Sequence, residues 1–181
     1  MIIQKSKTLF ALVLFILSLG LSFSCIAKPK ESMTSKSASR EAIHTCRIND
    51  SVVDILACNI YKEARGEGLV GQLAVGFVTL NRRSHDNFPT SVRGVVYQKK
   101  QFSWTNKKKL YKIHDKEAWV TSQQLAKFIL TIKKLDILYK LLDVSCGSLY
   151  YHSYQVRPHW SKDVTPNVII GNHIFYSTLE K

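Results

Sequence analysis

Acidic residues are scarce in this 181-residue chain: 13 Asp and Glu stand against 26 Lys and Arg, a formal net charge of +13. Eight Gly and four Pro are too few for a collagen-like or proline-rich architecture. No segment repeats at a fixed period, which excludes solenoids and propellers. There is no CxxC and no HExxH. His44, His85, His114, His152, His159 and His173 are scattered, so no metal or cofactor is expected. The longest apolar run, Leu9 to Leu21, falls short of the ~18–20 residues of a membrane span. What is present is 45% hydrophobic and 10% aromatic residues, enough to bury a core, at a length that suits one domain and a short extension.

The N-terminus reads as a secretory signal peptide. Lys5 and Lys7 form its basic region, Leu9 to Leu21 its apolar core, and Ser24 to Ala27 its small-residue cleavage region. Cleavage after Ala27 puts Cys25 and Ala27 at the two small-residue positions. Cleavage after Ser24 would leave Cys25 first, as in a lipoprotein, but bulky Phe23 makes a poor lipobox. Membrane attachment is thus expected only through an uncleaved signal or a lipidated Cys25. Lys28 to Ser39 is rich in Ser and Lys, cannot offset its own ordering entropy, and reads as a flexible tether. The expected organisation is a signal peptide over 1–27, a linker over 28–43 and a domain over 44–181. The protein is expected to be exported, to the periplasm or cell wall, with the extracellular space as the alternative.

Export implies an oxidising compartment, so Cys46, Cys58 and Cys146 allow one disulfide and one spare thiol. Cys46 lies outside the periodic segments, which makes Cys46–Cys146 the expected bridge; buried thiols packing as small hydrophobes are the alternative. Helical periodicity comes first along the domain. Asp50 or Ser51 can cap a helix carrying Val52, Leu56 and Ile60, interrupted at Gly66-Glu67-Gly68. Val70, Leu73, Ala74, Phe77 and Leu80 form a second stripe, ending at 81–83. A shorter helical segment follows Phe88-Pro89-Thr90, through Val96. Asp115 can cap a long helix with Ala118, Leu125, Phe128, Ile129 and Ile132 on one face. Ser148 to Ser153 and Val168 to Tyr176 read as two strands, rich in β-branched and aromatic residues. Helices first and a small antiparallel sheet last make the class α+β.

Glu63 lies three positions after Ile60, on the apolar stripe of the first helix. A carboxyl on a core-facing stripe is desolvated, stays protonated near neutrality, and has what a general acid for glycosidic cleavage requires. A helix-end Glu paired with Lys62 or Arg65 is the plainer reading. Glu67, beside Gly68 in the break, reads as a positioning or capping carboxylate.

These residues carry a resemblance. YKEARGEGLVGQLAVGFVTLNR (61–82) is similar to the opening motif of the SleB/CwlJ-like cell-wall hydrolases, QFSW (101–104) to a second block, and GSLYYHSYQVRPHWSKDVTPNVIIGNHIFY (147–176) to a third, in that order. The resemblance implies a small lysozyme- or lytic-transglycosylase-like domain, mostly helical with a C-terminal hairpin or small sheet. It implies a catalytic acid at Glu63. Phage-like relatives flank QFSW with a Cys on each side; here Lys100 and the Asn106 region stand there.

Hydrolytic glycosidases usually pair the acid with a second carboxylate. Glu67, Asp86, Asp115 and Glu117 have no obvious partner role in the family blocks, so a single acid with a sugar-borne nucleophile is the expected chemistry. That is the lytic transglycosylase reaction, which the family implies, closing N-acetylmuramic acid (MurNAc) to its 1,6-anhydro form. The expected substrate-binding set is Glu67, Gln101, Phe102, Trp104, Tyr151, His152 and Trp160: aromatics to stack on sugar faces, Gln101 and His152 to bond hydroxyl and acetamido groups, with core or hairpin packing as the alternative for each. Removing residues 1–27, which hold two Lys and no acid, leaves +11. Such a field would attract nucleic acid, but an exported protein rarely meets it, and the carboxylates of peptidoglycan stem peptides are the expected counter-charge. A peptidoglycan-binding module without turnover is the alternative to the enzyme.

Overall fold

The computed structural model describes residues 42–106 and 110–177; the expected signal peptide and most of the linker lie outside them. In chain order the elements are β1 (His44–Cys46), α1 (Val52–Ala64), α2 (Leu69–Arg83), α3 (Val92–Val96), β2 (Tyr111–Ile113), α4 (Lys116–Ile132), α5 (Asp136–Leu142), β3 (Tyr150–Ser153), β4 (Val168–Ile170) and β5 (His173–Tyr176). Single 3₁₀ turns form at Ser103–Asn106 and His159–Ser161. The α+β class stands. No helix among the described residues is long and apolar enough to cross a membrane.

Local chemistry starts the helices. Ser51 caps α1, its hydroxyl accepting from the Asp54 amide at 3.1 Å, and Asp115 caps α4 by accepting from the Ala118 amide at 3.0 Å. Ile55, Leu56 and Ile60 of α1 are fully buried against α2 and α4. Each such side chain contributes about 1.5–3 kcal/mol by leaving water. Gly76 of α2 lets α4 come close: a Cβ there would run into Ile129 Cδ1. The stripes are narrower than expected at their ends, where Val52, Val70 and Phe128 are exposed.

α2 is buried on two sides. Its Phe77 and Leu80 join the main core with α1 and α4, while Ala74 and Val78 meet Phe175 of the C-terminal sheet. That sheet is antiparallel in the order β3-β5-β4. It has three strands rather than the two expected, because VIIGNHIFY folds back on itself. Ile170 pairs with His173 across the two-residue loop Gly171-Asn172, and Gly171 takes φ +56°. Glycine at the first central position is a primed-turn hairpin signal.

Three further elements lie outside the expected set. β1 and β2 pair antiparallel, and α5 follows α4. The disulfide joins Cys46 to Cys58, twelve residues apart, tying β1 to α1. This corrects the Cys46–Cys146 expectation: pairing with β2 seats Cys46 against the helix, whereas Cys146 is free and exposed in the turn before β3, with φ +55°. Cys58 sits at an apolar helix position.

Candidate active site

Glu63 stands in the last turn of α1, between buried Ile60 and Ala64 on the stripe that faces the core. Burial pushes its carboxyl above the ordinary 4.5, and two neighbours pull the other way: the Tyr151 hydroxyl and the Arg82 charge. Tyr151 comes from the middle of β3, and its hydroxyl donates to Glu63 Oε2 at 3.3 Å. Its ring is held on the inner face of the sheet, edge-on to His173 at 5.2 Å and beside Phe175 at 5.5 Å. Burial and the Glu63 carboxylate raise the Tyr151 phenol well above its ordinary value, so it remains a donor.

Arg82 joins the site from outside the expected set. It lies in the last turn of α2 and is only 5% exposed. Its Nε donates to the Leu149 carbonyl at 2.6 Å, and its guanidinium lies 5.3, 5.5 and 5.8 Å from the rings of Phe88, Phe102 and Tyr150. Nη1 is buried without a hydrogen-bond partner. A buried cation near a desolvated carboxyl opposes the shift that burial alone would impose. The signal was available: Ala74, Val78 and Arg82 are spaced by four on a buried face of α2.

Glu67 behaves differently. Its Oε2 accepts from the Asn172 amide at 3.0 Å and Oε1 from Asn172 Nδ2 at 3.1 Å, bracing the β4–β5 turn. These bonds, the backbone one foremost, hold its carboxyl below the ordinary range. It braces the turn through both carboxylate oxygens.

The QFSW block is likewise structural at its two aromatics. Phe102 is buried under Arg82. Trp104 is buried in the main core, its Nε1 donating to Asn59 Oδ1 at 3.1 Å, while Asn59 Nδ2 donates to Thr79 at 3.0 Å. Both were expected to stack on sugars, but at 2% and 5% exposure they have little surface to offer. Gln101 is half-buried just before the 3₁₀ turn.

His152 and Trp160 belong to the other face of the sheet, since successive strand residues point to opposite sides. His152 stacks on Tyr176, edge-on to Trp160, with Nε2 2.9 Å from the Tyr176 hydroxyl and Nδ1 2.9 Å from the Ser153 carbonyl. Glu63 and Tyr151 are thus brought together; His152 and Trp160 are not brought to them. Among the described residues one cluster has ligand-like composition, His44 with Cys46 and Cys58, and its two sulfurs are bonded to each other.

A helical body carrying one shielded carboxyl at a helix end, closed by a small antiparallel sheet, defines an α+β domain. The fold is that of the crystallised catalytic domain of the Bacillus cereus SleB protein, with a TM-score of 0.54 and 24% identity over 78% of this chain and 99% of that one. The catalytic domain of the germination-specific lytic transglycosylase SleB from Bacillus anthracis matches with a TM-score of 0.54 and 27% identity, over 71% of this chain and 97% of that one. The cell wall hydrolase family matches residues 66–176, and the chain belongs to that family. The matched region begins just past Glu63. A spore cortex-lytic enzyme of Halalkalibacterium halodurans is 32% identical over 130 residues, 70% of this chain but 35% of that enzyme. One from Bacillus cereus is 32% identical over 126 residues, 43% of its length. The chain therefore spans less than half of the relatives it matches.

Proposed function

We propose that this protein is an exported enzyme that cleaves the glycan backbone of peptidoglycan between MurNAc and N-acetylglucosamine, as a lytic transglycosylase. The observation that carries the reading is the Glu63 carboxyl, shielded at the end of α1 under the Tyr151 hydroxyl, with the Arg82 charge acting on it. Protonated Glu63 gives its proton to the glycosidic oxygen as the bond to the MurNAc anomeric carbon breaks. The carboxylate so formed receives the Tyr151 hydrogen bond and feels the Arg82 charge. It then takes the proton of the MurNAc 6-hydroxyl, whose oxygen closes on the anomeric carbon. The proton returns to Glu63 and no water is consumed.

The position of Glu67 favours this reading over hydrolysis with two carboxylates: it accepts from Asn172 at both oxygens and braces the β4–β5 turn, which suits a positioning role better than that of a second catalytic carboxylate. The family and fold favour an enzyme over a binding module, and the N-terminal segment supports export. Digestion of purified sacculi tests the chemistry. Transglycosylase muropeptides are one water lighter than hydrolytic ones and resist borohydride reduction at the anhydro end. Products that are all reducible would overturn the anhydro mechanism.

A further inference from the structure

The outer face of the C-terminal sheet holds a cavity of about 400 Å³ that the cleavage chemistry does not use. Its floor is rigid: His152 is fixed at both ring nitrogens, and Tyr176 stacks beside it. The His159–Ser161 turn forms a wall, closed by Ser161 Oγ donating to the Pro158 carbonyl at 2.9 Å. Val156, Val164 and Ile174 make the lining apolar, while Arg157 and Lys162 set two cations at it. Neither cation has a carboxylate within ion-pair distance among the described residues.

We propose that this cavity binds the stem peptide of peptidoglycan, an inference that rests on the glycan-cleaving reading of Glu63. A short peptide of small apolar side chains and free carboxylates matches the lining on both counts. The glycan chain itself is largely uncharged and would leave Arg157 and Lys162 without counterparts. The volume lies within the ~300–1,000 Å³ of small-ligand sites. Position fits as well. β3 is an edge strand, and it presents Tyr151 to Glu63 on one face and the next residue, His152, to the cavity on the other. Tyr150 and Trp160 bridge the edge, the Tyr150 ring 5.8 Å from the Arg82 guanidinium and 6.1 Å from Trp160. A three-residue extended peptide spans roughly 10 Å, and β3, as the edge strand, joins the two faces that such a peptide would follow. The cavity then selects peptide-bearing MurNAc for cleavage.

The test compares the full chain with an Arg157→Ala/Lys162→Ala variant, both positions being exposed and outside the core. Two substrates are used, intact sacculi and glycan freed of stem peptides by an amidase. The variant should lose about five- to tenfold in turnover on intact sacculi and nothing on bare glycan, the scale of two partly screened charge contacts. Calorimetry with a synthetic stem tetrapeptide should show binding weakened to the same extent. The carboxylate-amidated peptide and inorganic phosphate should bind no better than the variant binds the tetrapeptide. Equal loss on both substrates, equal binding of the amidated peptide, or phosphate binding as tightly as the peptide would each overturn the proposal. If the wild type cleaves neither substrate, the reaction assigned to Glu63 falls, and the calorimetric arm alone decides the cavity.

Discussion

Glu63 and Glu67 are the same residue type, four positions apart in one motif, and the fold shifts their acidities in opposite directions. Glu63 is pointed into a helix–sheet junction where desolvation outweighs one hydroxyl and one cation, so its carboxyl is pushed up. Glu67 follows the end of α1 into the turn, meets two N–H donors of Asn172, and its carboxyl is pulled down. The two are separated here by partners, not by identity: the Glu63 carboxyl keeps its proton to higher pH than that of Glu67, which is engaged with the turn of the hairpin beside it.

Glu63→Gln breaks the comparison most severely. It keeps size and hydrogen bonding but removes the transferable proton, and turnover of sacculi should fall about 100- to 10,000-fold with retention on sacculi unchanged. Solubilisation at the wild-type rate would remove Glu63 from the mechanism.

Gly171→Ala attacks the other carboxylate through its partner. An alanine must take a left-handed φ and its Cβ would run into Glu67 Oε2, so about 2 kcal/mol of stability should be lost. Thermal unfolding should shift down by roughly 5–10 °C. An unchanged midpoint would show that Glu67 and the turn are not in contact.

Tyr151→Phe sharpens the comparison by removing a group that lowers the Glu63 pKa. General acid catalysis needs the protonated carboxyl, so activity falls as pH rises through the Glu63 value, which lies above 4.5. Without the hydroxyl that value rises further, and the alkaline limb of the pH–rate profile should move to higher pH. A limb that stays in place would mean the hydrogen bond is not made during turnover.

Glu67→Gln should have the smallest effect, about 1 kcal/mol of stability and little change in pH-rate limbs. Glu67's folded pKa is depressed, so its contribution is complete above the unfolded value and fades as pH falls through the lower, folded one. Acid titration of stability should show that component in the wild type and lack it in the variant. A variant as inactive as Glu63→Gln, yet folded, would make Glu67 a participant in the reaction.

Much of the helical body was legible because its signals are local. Ser51 and Asp115 cap where a hydroxyl or carboxylate precedes an apolar period, and Glu63 is core-facing because it follows Ile60 by three residues. The third strand was also locally encoded: glycine before asparagine within a β-branched run is a hairpin turn, and a continuous strand was expected because β-branched and aromatic residues lie on both sides of it. Arg82 was legible too, since its spacing of four from Val78 puts it on a buried face of α2.

The sequence by itself determined the helix starts, the α+β order, the inward side of Glu63 and the motifs that carry the family. These depend on periodicity, capping and residue type within a few turns of chain. Tertiary structure alone decided that Cys46 pairs with Cys58, that Phe102 and Trp104 serve the core, that Tyr151 meets Glu63, and that the Glu63 and Glu67 carboxyls are shifted in opposite directions. Each of those depends on which distant residue fills the space beside it: desolvation, a hydrogen-bond donor and a disulfide partner are supplied by segments 12 to 105 residues away.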